Sequence, residues 1–568
     1  MIGERMLERF YPRDQRDIFT NRQRELTLLD FLKQEISQGR PQRLAVWGLR
    51  RIGKTLLIKE FFTRLLSEGW SGVPVYINLE RVVSSPENFA MGYIGWTLHW
   101  CRISLGHDEA ALPGRYFDIQ TLLTQGFAFS QKSVEKALTT LANELAKEKP
   151  NRHLLLELAL SFPQDLGQEL GRPILLCLDE FQEILALERY GLKDILALFR
   201  AILQESPNVS YILAGSAITV FQRMVGDHQS PLFAQLERLP LSPFTPEDTK
   251  ALIARVAPEI TDAEARQEIV RLTGGHPSYV VSLARRTRYL VHLNDLAPSA
   301  ETVRYAFLVD TLSPDGDIYN FCKYIYDVSL QRASGYGPLK AILQLLAERD
   351  EKPSTLARRL KVSRPTVMGY LRNLEEVDLI CKEGDLYRYH DPVLRFWVAM
   401  ATVGIEVGPF PRHEELAGLV AQLDERFQRA SSELGLAKEF EVREILRKFQ
   451  GQEVPGELLG SPGTVRLPLF RSVEPYRSPD GQIEIDALAK GDEVWAVEVK
   501  WRNKEASVTE LRRFVAKTRE HAPHRLWFIS KMGFSPAART FAQERGILIS
   551  DQVSLSQLAR LVGVRFGP

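Results

Sequence analysis

The sequence predicts an α/β protein of several domains: a parallel sheet with helices on both faces, then a small module of three helices and a hairpin, then a second α/β domain. Three observations predict this. Over the first 240 residues short apolar runs alternate with helical segments, the pattern of a parallel sheet covered on both faces. From residue 338 to 400 the pattern changes to short amphipathic helices followed by two strand-like runs. Beyond about residue 430 a helix, a strand pair and a helix–strand–helix–strand order follow. The 568 residues suffice for three to four domains at roughly 150 residues each.

Composition sets the outer limits. Hydrophobic residues make up 44% and charged residues 26%, as in globular proteins with several cores. With 37 Gly and 31 Pro the chain is neither collagen-like nor low in complexity. Lys and Arg number 73 against 72 Asp and Glu. That balance excludes a wholly basic nucleic-acid coat protein and leaves room for a local basic face. Cys101, Cys177, Cys322 and Cys381 are far apart, so neither a zinc knuckle nor a disulfide framework is expected, which suits a reducing cytoplasm. Met1 to Arg13 carries charges throughout and no apolar h-region, so no signal peptide is expected. The longest near-apolar stretch, Phe396 to Ile405, is half the roughly 20 residues of a membrane span. A soluble, cytoplasmic protein without a membrane partner is expected.

Arg43 to Trp47 reads as a buried strand that runs into Gly48-Leu49-Arg50-Arg51-Ile52-Gly53-Lys54-Thr55, and a helical pattern follows from Leu56 to Phe62. Strand, Gly-x-x-x-x-Gly-Lys-Thr, helix is the context of a phosphate-binding P-loop. Gly48 and Gly53 let the backbone curl until its N–H groups face phosphate oxygens. Lys54 is expected at the β and γ phosphates of ATP, and Thr55 on Mg²⁺. The run Pro173 to Leu178 supplies a second buried strand ending in Asp179-Glu180. Asp179 is expected near the Mg²⁺, and Glu180 beside the attacking water. Val73 to Asn78 reads as another strand, and residues of about 82 to 170 as a helical insertion. Ser210 to Ser216 reads as a third strand of the site. Ser216 is a candidate γ-phosphate sensor or simply the residue that ends the strand.

Phe19-Thr20-Asn21-Arg22-Gln23-Arg24-Glu25-Leu26 resembles the N-R-x-x-E-L lead-in of the archaeal and bacterial ATPase family within the STAND class of P-loop NTPases. Gly275-His276-Pro277 resembles the G-x-P element of that family's helical lid, which implies that Pro277 packs near the adenine. Many relatives read P-L-Y-G-R after the third strand, where this chain has Pro231-Leu232-Phe233-Ala234-Gln235. The Arg of that motif is absent, and Arg238 is a substitute or an ordinary surface residue.

In the module at 338 to 400, Leu339, Ile342, Leu343, Leu345 and Leu346 mark one helix. Ser354 to Leu360 marks a second with Ser354 as its cap, and Thr366 to Leu374 a third after a turn at Val362 to Pro365. Leu379 to Lys382 and Leu386 to Tyr389 form a hairpin, and the whole resembles a winged helix-turn-helix. Between Lys352 and Asn373 stand Lys352, Arg358, Arg359, Lys361, Arg364 and Arg372 with no acid among them. Such a face suits DNA phosphates or a protein partner, and the third helix carries few side chains able to read base edges.

Gly404, Gly408, Pro409 and Pro411 mark a linker. Past it, a turn at Ser478-Pro479-Asp480-Gly481 leads to Gln482 to Ala489, a Lys490-Gly491-Asp492 turn and Glu493 to Trp501. Side chains two apart on a strand share a face, so Glu498 and Lys500 point together and Asp486 on the neighbouring strand can meet them. Asp486, Glu498 and the carbonyl of Val499 offer oxygens for Mg²⁺ or Mn²⁺. Lys500 can orient or deprotonate an attacking water. Asp-x₁₁-Glu-x-Lys on a hairpin resembles the core of restriction-endonuclease-like PD-(D/E)XK nucleases. The preceding helix, Gly435 to Leu446, resembles that family's G-x-x-F-E helix. Glu441 matches its Glu, and Glu439 competes because the spacing is one residue longer. Helix Ser507 to Glu520, strand Arg525 to Ser530, helix Ser535 to Glu544 and strand Ile547 to Ser550 complete the expected order.

The expected organisation is a P-loop ATPase core (1–240), a helical lid and connector (241–335), a winged helix-turn-helix (336–400), a linker helix (401–430) and a nuclease-like domain (431–568). The expected function is an ATP-binding, ATP-hydrolysing DNA-processing protein whose nucleotide state controls a metal-dependent deoxyribonuclease, with defence or mobile-element biology as its setting. The alternative is an ATP-switched DNA- or protein-binding regulator with an inactive nuclease-like domain. Either is compatible with a homo-oligomer.

Overall fold

The computed structural model describes residues 8–106, 118–126, 129–294, 296–333, 336–402, 404–408, 418–421, 423, 438–439, 441–478, 483–502, 504–564 and 566. The chain divides into two compact units. One comprises Met1–Phe244 with His276–Ser278 and Glu376–Asp378; the other comprises Thr245–Gly275, Tyr279–Glu375 and Leu379–Pro568.

The first unit is built on strands β1 (Arg43–Trp47), β2 (Val73–Asn78), β3 (Ile174–Asp179), β4 (Val209–Gly215) and β5 (Glu237–Pro240). They pair in parallel in the order β2-β3-β4-β1-β5. Alternate residues of each strand serve opposite faces. Leu44, Val46, Leu175, Cys177 and Ile212 pack with Leu57, Phe61, Phe62 and Leu65 of helix Lys54–Ser67. Ala45, Val75, Ile77, Leu176 and Leu213 face the opposite core, which includes helices Pro86–Ser104 and Arg152–Leu170. Burial on both faces is why β3 and β4 read as continuous apolar runs. β5 was not legible: it is short, and Glu237, Arg238 and Pro240 are exposed. The insertion is helical as expected, with helices Ile119–Gly126 and Lys132–Leu145 between the two already named.

The second unit holds most of the helical stretch between Pro246 and Arg332 and continues into helices Tyr336–Glu348, Pro353–Leu360 and Arg364–Glu376. Strands β6 (Ile380–Glu383) and β7 (Leu386–Tyr389) form the antiparallel wing. Ser354 is not the cap of the middle helix: Pro353 takes the first helical position and Lys352 the capping one, without a side-chain bond. Proline fits there because its missing N–H has no helical partner anyway. Ser363 caps the third helix, accepting from Thr366 N at 3.3 Å.

The C-terminal part adds β8 (Glu453–Pro455) and β9 (Thr464–Arg466), then a sheet of β10 (Phe470–Arg477), β11 (Glu484–Gly491), β12 (Val494–Lys500), β13 (Arg525–Ser530) and β14 (Leu548–Ser550). β10, β11 and β12 are antiparallel neighbours, and β13 and β14 run parallel to β12. Helices Val508–Thr518 and Pro536–Arg545 make the parallel crossovers. Pro409, Pro411 and most of the linker helix at 401–430 lie outside the described residues. So do Gly435, Leu436, Ala437 and Phe440 of the leading helix, and Pro479, Asp480 and Gly481 of the turn.

The wing and the C-terminal domain share a buried ion pair. Lys438, fully buried, reaches Glu383 of β6 at 2.6 Å and Glu441 at 3.1 Å. Its ammonium also lies over the rings of Trp501, 5.1 Å away, and Phe566, 4.4 Å away. Removing the cation leaves Glu441 without it and Glu383 with Arg388 alone. Lys438→Met is therefore expected to lose about 1.5–3 kcal/mol, read as a lower midpoint in thermal unfolding of the full chain. Lys438→Met/Glu441→Met is expected to recover part of that loss; a single variant that melts with the wild type would show that the pair stabilises nothing.

Candidate functional site

The first site lies at the C-terminal ends of β1, β3 and β4, which are adjacent in the sheet. In open parallel sheets this edge is where ligands bind. Glycine is required twice. A Cβ on Gly48 would stand 2.6 Å from the carbonyl oxygen of Leu241, and Gly53 has φ +102°. Helix Lys54–Ser67 then begins without any side-chain cap, so its first N–H groups are left for an anion. Lys54 Nζ donates to the carbonyls of Gly48 at 2.9 Å and Leu49 at 3.0 Å. Burial pulls its pKa down to about 8 against the raising charges of Glu180 and Asp179.

Thr55 Oγ1 donates to Asp179 Oδ2 at 2.8 Å, and Tyr76 OH to the same oxygen at 2.7 Å. Asp179 is 1% exposed, so these donors are what keep its carboxylate satisfied. Glu180 sits in the left-handed region at φ 52°. It accepts from Ser216 Oγ at 2.7 Å and from Gln182 Nε2 at 2.6 Å. Burial raises the Glu180 carboxyl, but those bonds and the charges of Lys54 and Arg50 outweigh it and hold it low. Thr55, Asp179, Glu180 and Ser216 are thus brought together around the loop, with Ser216 bonded to Glu180. Pro277 begins helix Pro277–Asn294, and the His276 ring contacts the Arg50 carbonyl at 3.0 Å.

Two residues of this site carried roles that the sequence did not disclose. Arg22 donates to the carbonyls of Ile52 at 3.1 Å and Ser242 at 2.9 Å, pairs with Glu25 and lies over Phe244. It staples the base of the loop to the segment after β5. Its place in the Asn21-Arg22 lead-in was the available signal. Tyr76 gave none, being one apolar-strand residue among others. Arg238 holds the Val225 carbonyl at 3.1 Å, a local structural contact.

The second site is on β11 and β12. Ala487 pairs with Val497, which sets Asp486 opposite Glu498 one residue further on. Asp486 Oδ2 accepts from the Val499 N–H at 2.7 Å, and Arg443 holds the Asp486 carbonyl at 2.7 Å. Glu498, 5% exposed, meets Lys500 Nζ at 2.6 Å on one oxygen and Lys517 Nζ on the other. Burial, then the charge of Glu498, pushes the Asp486 carboxyl up to about 6. Burial lowers Lys500, but Glu498 and Asp486 raise it further, so it stays firmly charged.

On the leading helix, Glu441 pairs with Lys438 at 3.1 Å. Glu439 stands in the field of Asp486 and Lys500, and burial and Asp486 push its carboxyl up to about 7. Lys517, from the helix after β12, was not foreseen; an E-x-K pattern carries no signal for a lysine 17 residues beyond the motif.

Among the described residues no three His, Cys, Asp or Glu side chains form a metal cage. The donor set still fits a hard divalent cation. Asp486 and Glu498 are buried carboxylates whose charges oppose each other, a repulsion that a cation removes.

In the winged helix-turn-helix, Arg358, Lys361, Arg364 and Arg372 are exposed. Arg359 is engaged by Glu348 at 2.9 Å and by Glu351 at 3.6 Å, and Lys352 pairs with Asp385 at 3.5 Å. The window without acids is thus partly neutralised by acids outside it, which leaves Arg359 less suited to phosphate than its neighbours.

A carboxyl must lose its proton to ligate a metal. With Asp486 at about 6, Mn²⁺ affinity is expected to be flat above that pH and to fall below it by up to about tenfold per unit. Calorimetric titration from pH 5 to 8 checks this; an affinity independent of pH would remove Asp486 from the ligand set.

Residues 19–283 match the family described as an ATPase domain predominantly from Archaea, residues 466–559 match a restriction endonuclease family, and residues 340–382 match the arsR family of bacterial regulatory proteins. No curated protein matches the chain. Similar solved structures include a Walker-type ATPase of Pyrococcus abyssi, 19% identical, covering 67% of this chain and 96% of its own at a TM-score of 0.45. They also include the ORC2 protein of Aeropyrum pernix in its ADPNP-ADP complexes, 14% identical, covering 69% and 99% at a TM-score of 0.40. A third is the RuvB Holliday junction branch migration motor of Thermotoga maritima, 13% identical, covering 72% and 96% at 0.30. The described residues contain no helix long and apolar enough to cross a membrane. The chain therefore carries an ATPase domain of the predominantly archaeal family, a helix-turn-helix domain and a C-terminal restriction-endonuclease domain.

Proposed function

We propose that the chain is an ATP-hydrolysing DNA-processing protein of the STAND type, whose nucleotide state controls a metal-dependent deoxyribonuclease in its C-terminal domain. The observation that carries this reading is the meeting of Asp486, Glu498 and Lys500 on neighbouring strands in a chain that also carries the loop Gly48 to Thr55. A scaffold has no need to bury two opposed carboxylates beside a charged lysine.

In the first site Lys54 leaves the Gly48 and Leu49 carbonyls for the β and γ phosphates of ATP. Thr55 and Asp179 hold the Mg²⁺, and Pro277 lies against the adenine. Glu180 orients the attacking water, and Ser216, already bonded to Glu180, reports the γ-phosphate by exchanging that partner. In the second site Asp486, Glu498 and the Val499 carbonyl hold Mg²⁺ or Mn²⁺, and Glu439 takes the place expected of Glu441. Lys500, as a charged ammonium, orients the water. The bound cation supplies charge stabilisation at the scissile phosphate. Arg358, Lys361, Arg364 and Arg372 hold DNA phosphates, a sequence-independent grip that weakens with salt. A cytoplasmic role in defence against foreign or mobile DNA, as a homo-oligomer, accords with this chemistry.

One observation favours a second reading, an ATP-switched regulator with a silent nuclease-like domain: both oxygens of Glu498 are engaged by lysines. The two readings part in one experiment. Wild type, Glu498→Ala and Lys54→Ala are incubated with linear, circular and single-stranded DNA, with Mg²⁺ or Mn²⁺, with and without ATP. Glu498→Ala is expected to lose cleavage by at least about 100-fold while binding ATP normally. Lys54→Ala is expected to lose ATP binding and the effect of ATP on cleavage. Cleavage by Glu498→Ala at the wild-type rate would sink the nuclease reading.

A further inference from the structure

Lys517 stands in the last turn of helix Val508–Thr518. That helix is held rigidly. Ser507 and Glu510 form a reciprocal cap at its start, and Leu511, Phe514 and Thr518 are buried. Lys517 turns the other way, with its side chain 23% exposed. Its ammonium donates to Glu498 Oε2 and to the Glu484 carbonyl, and lies 5.9 Å from the Phe514 ring. Lys500 holds Oε1 of the same carboxylate. Two elements that are distant in sequence thus deliver two ammonium groups to the two oxygens of one buried acid.

The charges explain the pairing. A buried Glu498 beside Asp486 needs positive charge near it, and two ammonium groups supply what one divalent cation would. A carboxylate oxygen that ligates a dication no longer serves an ammonium well, since the two positive charges then repel at close range. Both ammonium groups stand on the same flexible four-carbon stem. Lys500 is taken up by the attacking water in the reading above, which leaves Lys517, on the facing helix, to change partner.

We propose that Lys517 is a second lysine of the nuclease site: it holds Glu498 in the metal-free state and, once Glu498 takes the cation, turns to a non-bridging oxygen of the scissile phosphate. This rests on the nuclease reading above. The ammonium released from Glu498 finds its new partner in the anion that the substrate brings. A compact ammonium suits one phosphate oxygen as a point charge. Lys517 therefore opposes metal binding and promotes cleavage, two effects of opposite sign from one side chain.

The test uses the full chain with Lys517→Gln, Lys517→Arg and Glu498→Ala, and reads Mn²⁺ binding by calorimetry and cleavage of a short DNA duplex at saturating Mn²⁺. Lys517→Gln is expected to bind Mn²⁺ several-fold more tightly, because a competing cation is gone, and to cleave about 100-fold more slowly. Lys517→Arg is expected to recover a part of the rate. Unchanged or weaker Mn²⁺ binding by Lys517→Gln would overturn the proposal, as would cleavage at the wild-type rate. Wild-type protein that binds Mn²⁺ at Glu498 but cuts no DNA removes the nuclease reading and, with it, the phosphate role. In that case tighter Mn²⁺ binding by Lys517→Gln would still establish the competition at Glu498.

Discussion

A carboxylate withdrawn from water keeps its charge only if donors or cations surround it, and both sites of this protein are organised by that requirement. Asp179 is satisfied by Thr55 and Tyr76, and Glu180 by Ser216 and Gln182. Glu498 is satisfied by two lysines, and Asp486 by the Val499 N–H. Each acid has at least one partner from another segment of the chain, so it ties elements together before any ligand arrives. The same rule operates away from the sites. Glu383 of the wing and Glu441 of the leading helix share Lys438, and Glu268 is held by Arg271 and Arg304.

The strands and the loop were legible because they follow local rules. β1, β3 and β4 announce themselves as apolar runs since both faces are covered, and the loop since only glycine tolerates Gly48's approach to Leu241 and Gly53's φ. The hairpin of β11 and β12 was legible for a related reason. A one-residue slip would turn Ala487 and Ala489 out of their core, so the alternation tells which face of β12 carries Glu498 and Lys500. The meeting of Asp486 with Glu498 needs, besides, the register that pairs Ala487 with Val497.

What escaped the sequence depends on contacts between distant segments. Glu439 and Glu441 are two apart, about 200° around a helix, so they point to opposite sides, and nothing local says which side meets the sheet. The choice is made by Lys438, which draws Glu441 toward the wing. Arg359 looked as free as Arg358 until Glu348 and Glu351 were seen to reach it from outside the basic window. β5 hid because a four-residue edge strand needs no apolar run.

The stowed position of Lys54 sets a condition on what can enter its loop. Its ammonium already has two carbonyl partners, each bond worth about 1 kcal/mol net, and burial has reduced its basicity. An anion that offers a single weak contact gains little by displacing them. A chain of phosphates, engaging the uncapped helix end and the ammonium together, recovers the loss several times over. In the function proposed above, the closed lysine is a threshold that favours ligands long enough to span the loop over small stray anions.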